Sequence, residues 1–384
     1  MRIVKFGIIG TGLMGKEFAS VSARWCHLPE MNVRPEIVSI CDKNTETFHW
    51  FQSNFKTITQ VTDDYKELLS NPDVEAVYIA VPHHLHEEFY TATIKAGKHL
   101  MGEKPFGIDK ESNKSIMLAI KENPETFVRC SSQFPFTSAV QRIGEMIEAD
   151  AFGEIIEVNS GFLHSSDLDQ DKSINWKRMI QYNGEYGCMG DLGIHACHMV
   201  FKAGWVPLNV RAVLSNIIKQ RPDGKGNIVP CETWDNAMLL CETRNPKSGQ
   251  TFPWTFKTQR IAPGEKNTWY FEVLGTKSSA KFSTKQINTL NVLEYKGGNQ
   301  IWQIVDMGHE TAFKSITGEI FEIGFSDLIL QMWAAFLYEL DNGNPETRFS
   351  GCVTPEETAL SHRLFTAALE SYASAETIEL ETGQ

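Results

Sequence analysis

The sequence has no uninterrupted apolar stretch of about 18 or more residues, the length a helix needs to cross a bilayer, so it predicts no membrane span. It has no basic cluster: 36 Lys and Arg stand against 48 Asp and Glu, a net charge of −12, and phosphate binding needs clustered cations, which excludes a nucleic-acid partner. None of the eight cysteines (26, 41, 130, 188, 197, 231, 241, 352) forms a CxxC pair. A chain this long needs no disulfide staples, so they read as reduced thiols in a cytoplasmic protein. Repetitive or disordered composition is absent as well, since 28 Gly, 15 Pro, 42% hydrophobic and 22% charged residues are ordinary globular values. The opening MRIVKFGIIGTGLMG lacks a small-residue cleavage site before Lys16-Glu17 and is broken by glycine, so it reads as a buried first strand, not a signal peptide.

What is present fits two domains in 384 residues. In the first third, short apolar runs at 3–10, 36–41, 74–81, 98–101 and 126–130 alternate with helical spacing at 86–96 and 110–121. Regular alternation implies right-handed crossovers and a doubly wound parallel sheet of the Rossmann type over residues 1–131, binding its ligand at the carboxyl ends of the strands. Beyond that, one helix (138–149) precedes strand-like runs at 155–163, 210–218, 236–242, 269–274 and 301–305, with turn signals such as Pro222-Asp223-Gly224 between them. Residues 132–384 therefore read as an α+β domain built on a large, mostly antiparallel open sheet, with closing helices over about 326–375 packing back. The tryptophans of this half (205, 234, 254, 269, 302, 333) are expected to fill that sheet's core and an oligomer interface.

Gly10-Thr11-Gly12-Leu13-Met14-Gly15 is GxGxxG placed between a predicted strand and a predicted helix. Gly10 would allow the tight turn, Gly12 the approach of a pyrophosphate and Gly15 close helix–strand packing, with the helix N-terminus supplying amide donors near Leu13 and Met14. Asp42 ends the second strand, where a carboxylate can accept from ribose hydroxyls and repel a 2′-phosphate, which favours NAD while leaving NADP possible. It lies 27 residues beyond Gly15, against a usual ~20, the extra length falling in the polar loop around 25–35, and Lys43 stands beside it. Asp42 could instead cap the following helix.

Ala80-Val81-Pro82-His83-His84-Leu85-His86, Gly97-Lys98-His99 and Glu103-Lys104-Pro105, followed by Ser173–Lys177 and Met189-Gly190-Asp191-Leu192-Gly193-Ile194-His195, resemble, in order and spacing, the Gfo/Idh/MocA family of oxidoreductases. The resemblance implies a catalytic group of Lys104, Asp191 and His195 around the substrate hydroxyl and the nicotinamide. It also implies cofactor contacts from Pro82, His83, His86, Glu103 and Lys104, with the Lys104–Pro105 peptide often cis. The chemistry is coherent by itself. Hydride loss from a carbinol carbon requires a base on the hydroxyl proton, and imidazole titrates near neutral pH. A lysine cation can polarise the same oxygen or relay its proton. Asp191 and His195, four apart, share a face if their segment is helical. It would bind a second hydroxyl and orient the reacting one.

Departures from the family pattern fall on substrate recognition: Gln133 where arginine is common, His83 for asparagine, His198 for aspartate, and Tyr186–Met189 bulkier than the usual glycines. Trp176, Lys177 and Arg178 could stack on and donate to a sugar ring, or could be a buried Trp flanked by solvated charges. No metal site is expected, since Cys188, His195, Cys197 and His198, like His83, His84 and His86, lack paired ligand spacing. The implied function is NAD(P)-dependent hydride transfer at a secondary hydroxyl or ketone of a sugar, polyol or sugar derivative. The alternatives are redox-neutral, NAD-dependent glycoside cleavage and a non-catalytic nucleotide-binding sensor. A small carbohydrate-like substrate and a homodimer or homotetramer joined through residues 207–310 are expected, because one sheet face must be hidden.

Overall fold

The computed structural model describes residues 1–308, 311–318, 320–321 and 323–380. The chain divides into two compact units, Met1–Gly107 with Glu111–Phe136 and the described part of 309–358, and Ile108–Lys110 with Thr137–Gly308 and the described part of 359–384. The boundary falls a few residues later than the change in sequence texture suggests. Phe134 and Phe136 are buried aromatics of a 3-10 turn that packs into the first unit.

The first unit is built on strands β1 (Arg2–Ile9), β2 (Val33–Cys41), β3 (Gln60–Thr62), β4 (Ala76–Ile79), β5 (His99–Gly102) and β6 (Val128–Cys130), in the order β3-β2-β1-β4-β5-β6. Every pairing is parallel. Helices α1 (Leu13–Ala23), α2 (Phe48–Asn54), α3 (Tyr65–Ser70), α4 (His86–Lys95) and α5 (Lys110–Glu122) form the connections. The strand order reverses beside β1, whose last residue Ile9 pairs with Ile79 at the end of β4, so a crevice opens at those two carboxyl ends. Three-residue β3 is too short and polar to have been read from the sequence.

In the second unit α6 (Ser138–Glu148) precedes β7 (Ile155–Leu163), and α7 (Ile180–Asn183) and α8 (Cys188–Lys202) follow. Then come β8 (Val206–Pro207), β9 (Asn209–Ser215), β10 (Gln220–Pro222), β11 (Ile228–Pro230), β12 (Asn236–Arg244), β13 (Thr251–Gln259), β14 (Thr268–Gly275), β15 (Ser278–Ser283), β16 (Thr289–Glu294), β17 (Gln303–Asp306) and β18 (Ile378–Glu379). The large sheet runs β17-β16-β15-β14-β7-β13-β12-β9-β18, and only β7 and β13 pair in parallel. Strand β13 escapes a sequence reading because it contains Pro253, which cannot donate to a ladder. Pro253 lies opposite Glu242 of β12, and pairing with β7 starts only at Trp254, so the proline sits where one neighbour is missing.

Helix α8 is buried along its whole length against β7, β13 and β14, as its apolar residues on all faces require. Trp254 and Trp269 are fully buried in this unit. Trp333 is not part of it, contrary to the reading above. It lies on α9 (Phe325–Asn342), which returns to the first unit, where the indole stacks 3.8 Å from Phe18 and meets Phe6 and Tyr78 edge-on at 5.6 and 5.0 Å. Helix α10 (Pro355–Ser374) spans the division between units.

Candidate active site

Between β1 and α1 the glycines divide their tasks as the fingerprint requires. Gly10 has φ +98°, and a Cβ there would lie 2.3 Å from the Ala80 carbonyl oxygen at the end of β4. A Cβ on Gly15 would lie 2.2 Å from the Gly10 carbonyl oxygen, so only glycine lets α1 start this close to the strand. At Gly12 the same test meets nothing within 4 Å. Gly12 is the N-cap of α1 and offers no side-chain cap, Leu13 is 76% exposed, and Met14 is half-buried. Open space in front of uncapped amides at a positive dipole end is an anion cradle, and it fits the pyrophosphate of a dinucleotide.

Asp42 follows the last residue of β2 and is tied to this cradle. Its Oδ2 accepts from the Thr11 amide at 2.7 Å and the Thr11 hydroxyl at 2.9 Å, and its Oδ1 accepts from the Asn44 amide at 2.8 Å. It is not a helix cap, because Asn44 caps the next turn by accepting from the Glu46 amide. The long spacing from Gly15 has a structural cause: a 3-10 turn (Trp25–His27) and a loop precede β2, anchored by Trp25 Nε1 donating to the Val33 carbonyl at 2.8 Å. Lys43 points to Asp63 at 3.7 Å.

At the ends of β4 and β5 the other predicted cofactor residues gather. After Pro82 comes a 3-10 turn, His83–Leu85, in which His83 is buried. His86 opens α4 with its ring fully buried, Nδ1 2.7 Å from the Pro105 carbonyl oxygen and Nε2 2.9 Å from that of Val81. Burial pushes its imidazole down to about 4, so it is neutral at pH 7 and donates a single N–H. The ring lies between the loops that follow β4 and β5, and its one N–H donates to one of these two carbonyls. Glu103 is also buried, its carboxylate accepting from the Tyr78 hydroxyl at 2.7 Å and its carbonyl from the Tyr90 hydroxyl. Lys104 follows it, half-buried, and the Lys104–Pro105 peptide is cis.

In the second unit the Asp191–His195 segment is helical, so both residues lie on one face of α8. Its start is set by Gly187, with φ +57° and a Cβ position 2.6 Å from the Trp234 amide nitrogen. The His195 ring stands edge-on to Phe162 at 5.4 Å, and its backbone carbonyl accepts from Trp269 Nε1 at 2.8 Å. Asp191 is buried and held by Lys177, whose Nζ lies 3.0 and 3.2 Å from its two oxygens, and by the Arg260 guanidinium. Arg260 also donates from Nε to Asp167 at 3.1 Å, and Lys172 reaches Asp167 at 3.3 Å. Burial pushes the Asp167 carboxyl up, but Arg260 and Lys172 outweigh it and hold it below the usual carboxylate range. Arg260 and Asp167 went unnoticed in the sequence because a single Arg after a strand and a single Asp in a loop carry no local signal.

Of the three residues expected at a sugar, Trp176 and Lys177 are half-buried, the Lys177 ammonium 5.5 Å from the Trp176 ring centre. Arg178 is a correction: fully buried, it pairs with buried Asp235, which in turn accepts from the amides of Ile217 and Ile218. A buried ion pair is costly to break, so this pairing ties Arg178 into the loop. Gln133 and His198 are buried as well, and burial drives the His198 imidazole well below its usual range. Among the described residues no group of three or more His, Cys, Asp or Glu could hold a metal ion, and no helix is long and apolar enough to cross a membrane.

Residues 4–129 match the model of an oxidoreductase family with an NAD-binding Rossmann fold, and residues 140–281 match the Gfo/Idh/MocA C-terminal domain. The chain belongs to the Gfo/Idh/MocA oxidoreductase family. Its first unit is the NAD-binding Rossmann domain of that family. Levoglucosan dehydrogenase of Pseudarthrobacter phenanthrenivorans is 27% identical over 309 residues, 76% of each chain. Glucose-6-phosphate 3-dehydrogenase of Bacillus subtilis is 25% identical over 299 residues, 76% of this chain and 79% of that one. The fold superposes over the full length of both chains on levoglucosan dehydrogenase in complex with NADH and L-sorbose, with a TM-score of 0.85 at 24% identity.

Proposed function

We propose that this Gfo/Idh/MocA member is a cytosolic NAD-dependent dehydrogenase acting on a secondary hydroxyl of a sugar, polyol or sugar derivative, with Lys104, Asp191 and His195 as its catalytic group. The observation that carries the reading is the buried carboxylate and imidazole side by side on α8, in a chain whose other unit presents a dinucleotide cradle. When bound, NAD supplies the hydride acceptor. Gly10, Gly12, Leu13, Met14 and Gly15 would hold its pyrophosphate, Asp42 its adenosine ribose, and Pro82, His83, His86, Glu103 and Lys104 would shape the nicotinamide end. His195 takes the hydroxyl proton as the C–H bond breaks, and the Lys104 ammonium stabilises the developing alkoxide. Asp191 accepts from a neighbouring hydroxyl and sets the ring's orientation, while Trp176 offers a face for sugar C–H groups. Eight free thiols, seven of them buried, suit a cytosolic setting.

A screen of NAD and NADP reduction over anhydrosugars, monosaccharides, sugar phosphates, inositols and glycosides tests this. Net NADH formation with at least one hydroxyl substrate is expected, with slower turnover on NADP because the Asp42 carboxylate opposes a 2′-phosphate. Substrate turnover with no net NADH would indicate the redox-neutral reaction instead, and no turnover on any member would refute the proposal.

A homodimer or homotetramer is the accompanying expectation. Along β12 buried Leu239 and Cys241 alternate with Met238 and Leu240, 47 and 51% exposed, and Val213 on β9, paired opposite Met238, is 61% exposed. Together these three exposed apolar side chains, beside Arg211 and Lys257, support an interface on this face. Light scattering at micromolar concentration should report more than one chain, and Leu240→Glu with Met238→Glu should yield monomers. A monomeric parent protein would contradict the assignment.

A further inference from the structure

One residue of the second unit engages the proposed site from behind. Arg260 leaves the end of β13 with its side chain 7% exposed and spans two carboxylates that are both 1% exposed, Asp191 and Asp167. From the other side Asp191 meets Lys177, whose side chain is 30% exposed and sits on a long flexible stem. The two cations are therefore unequal. A guanidinium buried against two carboxylates is held by its fork geometry, whereas a half-exposed ammonium can turn away. Were Lys177 the sole partner, its departure would leave a buried carboxylate unpaired, a costly state.

We infer that Arg260 is a positioning residue for substrate recognition: it fixes the Asp191 carboxylate in place and in its ionised form, so that Lys177 can yield to a substrate hydroxyl without leaving Asp191 unpaired. The inference rests on the reading above, in which Asp191 meets the substrate. It assigns the second unit an invariant acceptor for a hydroxyl donor, backed by a guanidinium that never touches the ligand. Asp167, braced by Lys172, serves as the second anchor that keeps the fork from rotating. The charged and titratable groups around this pair include Lys177 from its 3-10 turn, His195 and Cys188 on α8, Asp167 and Lys172 from the loop after β7, and the Arg178–Asp235 pair beside Arg260.

The test is steady-state kinetics of Arg260→Gln, Arg260→Lys and Asp191→Asn on the substrate found in the screen, with NADH titrated by fluorescence. Arg260→Gln should raise KM about tenfold or more, because an Asp191 carboxylate no longer held in place makes a poorer charge-assisted hydrogen bond to the substrate hydroxyl. Its acid limb of kcat/KM should move to higher pH, because removing a buried cation raises the pKa of the titratable groups beside it. NADH affinity should not change. Arg260→Lys keeps the charge but not the fork, so the acid limb should return to its wild-type position while KM stays between those of the parent and Arg260→Gln. Should Arg260→Gln fail to fold, Arg260→Lys alone decides, and a wild-type KM there would overturn the proposal. So would a folded Arg260→Gln with unaltered KM and acid limb while Asp191→Asn is impaired. An Asp191→Asn enzyme with unaltered KM and kcat would instead overturn the site reading on which the proposal stands.

Discussion

His195→Ala and Lys104→Ala should each lower kcat by about 10²-fold or more, the usual contribution of a placed acid–base or polarising group. Without a base the hydroxyl proton has no acceptor as the hydride leaves, and without the ammonium the alkoxide develops its charge unassisted. NADH binding should survive both substitutions, since the pyrophosphate and adenosine ribose would be held at Gly12 and Asp42, and neither His195 nor Lys104 belongs to that turn. The double variant should lose far less than the product of the single losses, because residues acting as one unit are non-additive. Asp191→Ala should act mainly on KM if it holds a non-reacting hydroxyl, and on kcat too if it orients the reacting one. Stopped-flow hydride transfer with a C–H-deuterated substrate keeps the chemical step in view. A fully active His195→Ala enzyme with the parental pH profile would remove the base assignment and leave Lys104 as the candidate.

The second large effect concerns the cradle, where three glycines should respond differently to added bulk. Gly12→Val places a branched side chain in open space at a negative φ of −71°, so Tm should fall far less than for the other two glycines. The pyrophosphate's approach is what it blocks. A steric penalty of about 1–3 kcal/mol corresponds to roughly 5–150-fold weaker NADH binding. Gly15→Ala instead drives a methyl to 2.2 Å from backbone, and Gly10→Ala combines a 2.3 Å clash with φ +98°. Both should lower Tm by several degrees whether or not the dinucleotide is present. Thermal melts with and without NADH separate the cases. A Gly12→Val protein that binds NADH as tightly as the parent would show that the open space is not the dinucleotide site.

Much of this molecule is legible in its sequence wherever the determinant is local. A strand, a tight turn and a helix start within residues 2–23 carry the glycine spacing, and each glycine's task follows from backbone sterics over a few residues. Asp191 and His195 share a face because helical geometry alone puts residues four apart on one side. The parallel and mostly antiparallel sheets likewise follow from the rhythm of short apolar runs, which periodicity encodes.

What lies far apart along the chain only the folded state decides. Asp42 bonds to Thr11 across 31 residues, which makes it part of the cradle and not a helix cap. Arg260 reaches Asp191 across 69 residues, and Arg178 vanishes into a pair with Asp235 while its neighbour Lys177 remains half-exposed. Trp333 covers the first unit's core though its sequence neighbourhood follows the second sheet. The reason is physical: an apolar pattern states which face must be buried but not what will cover it, and a lone charge states nothing about burial. Both are settled only when close packing and the desolvation of charge are satisfied together.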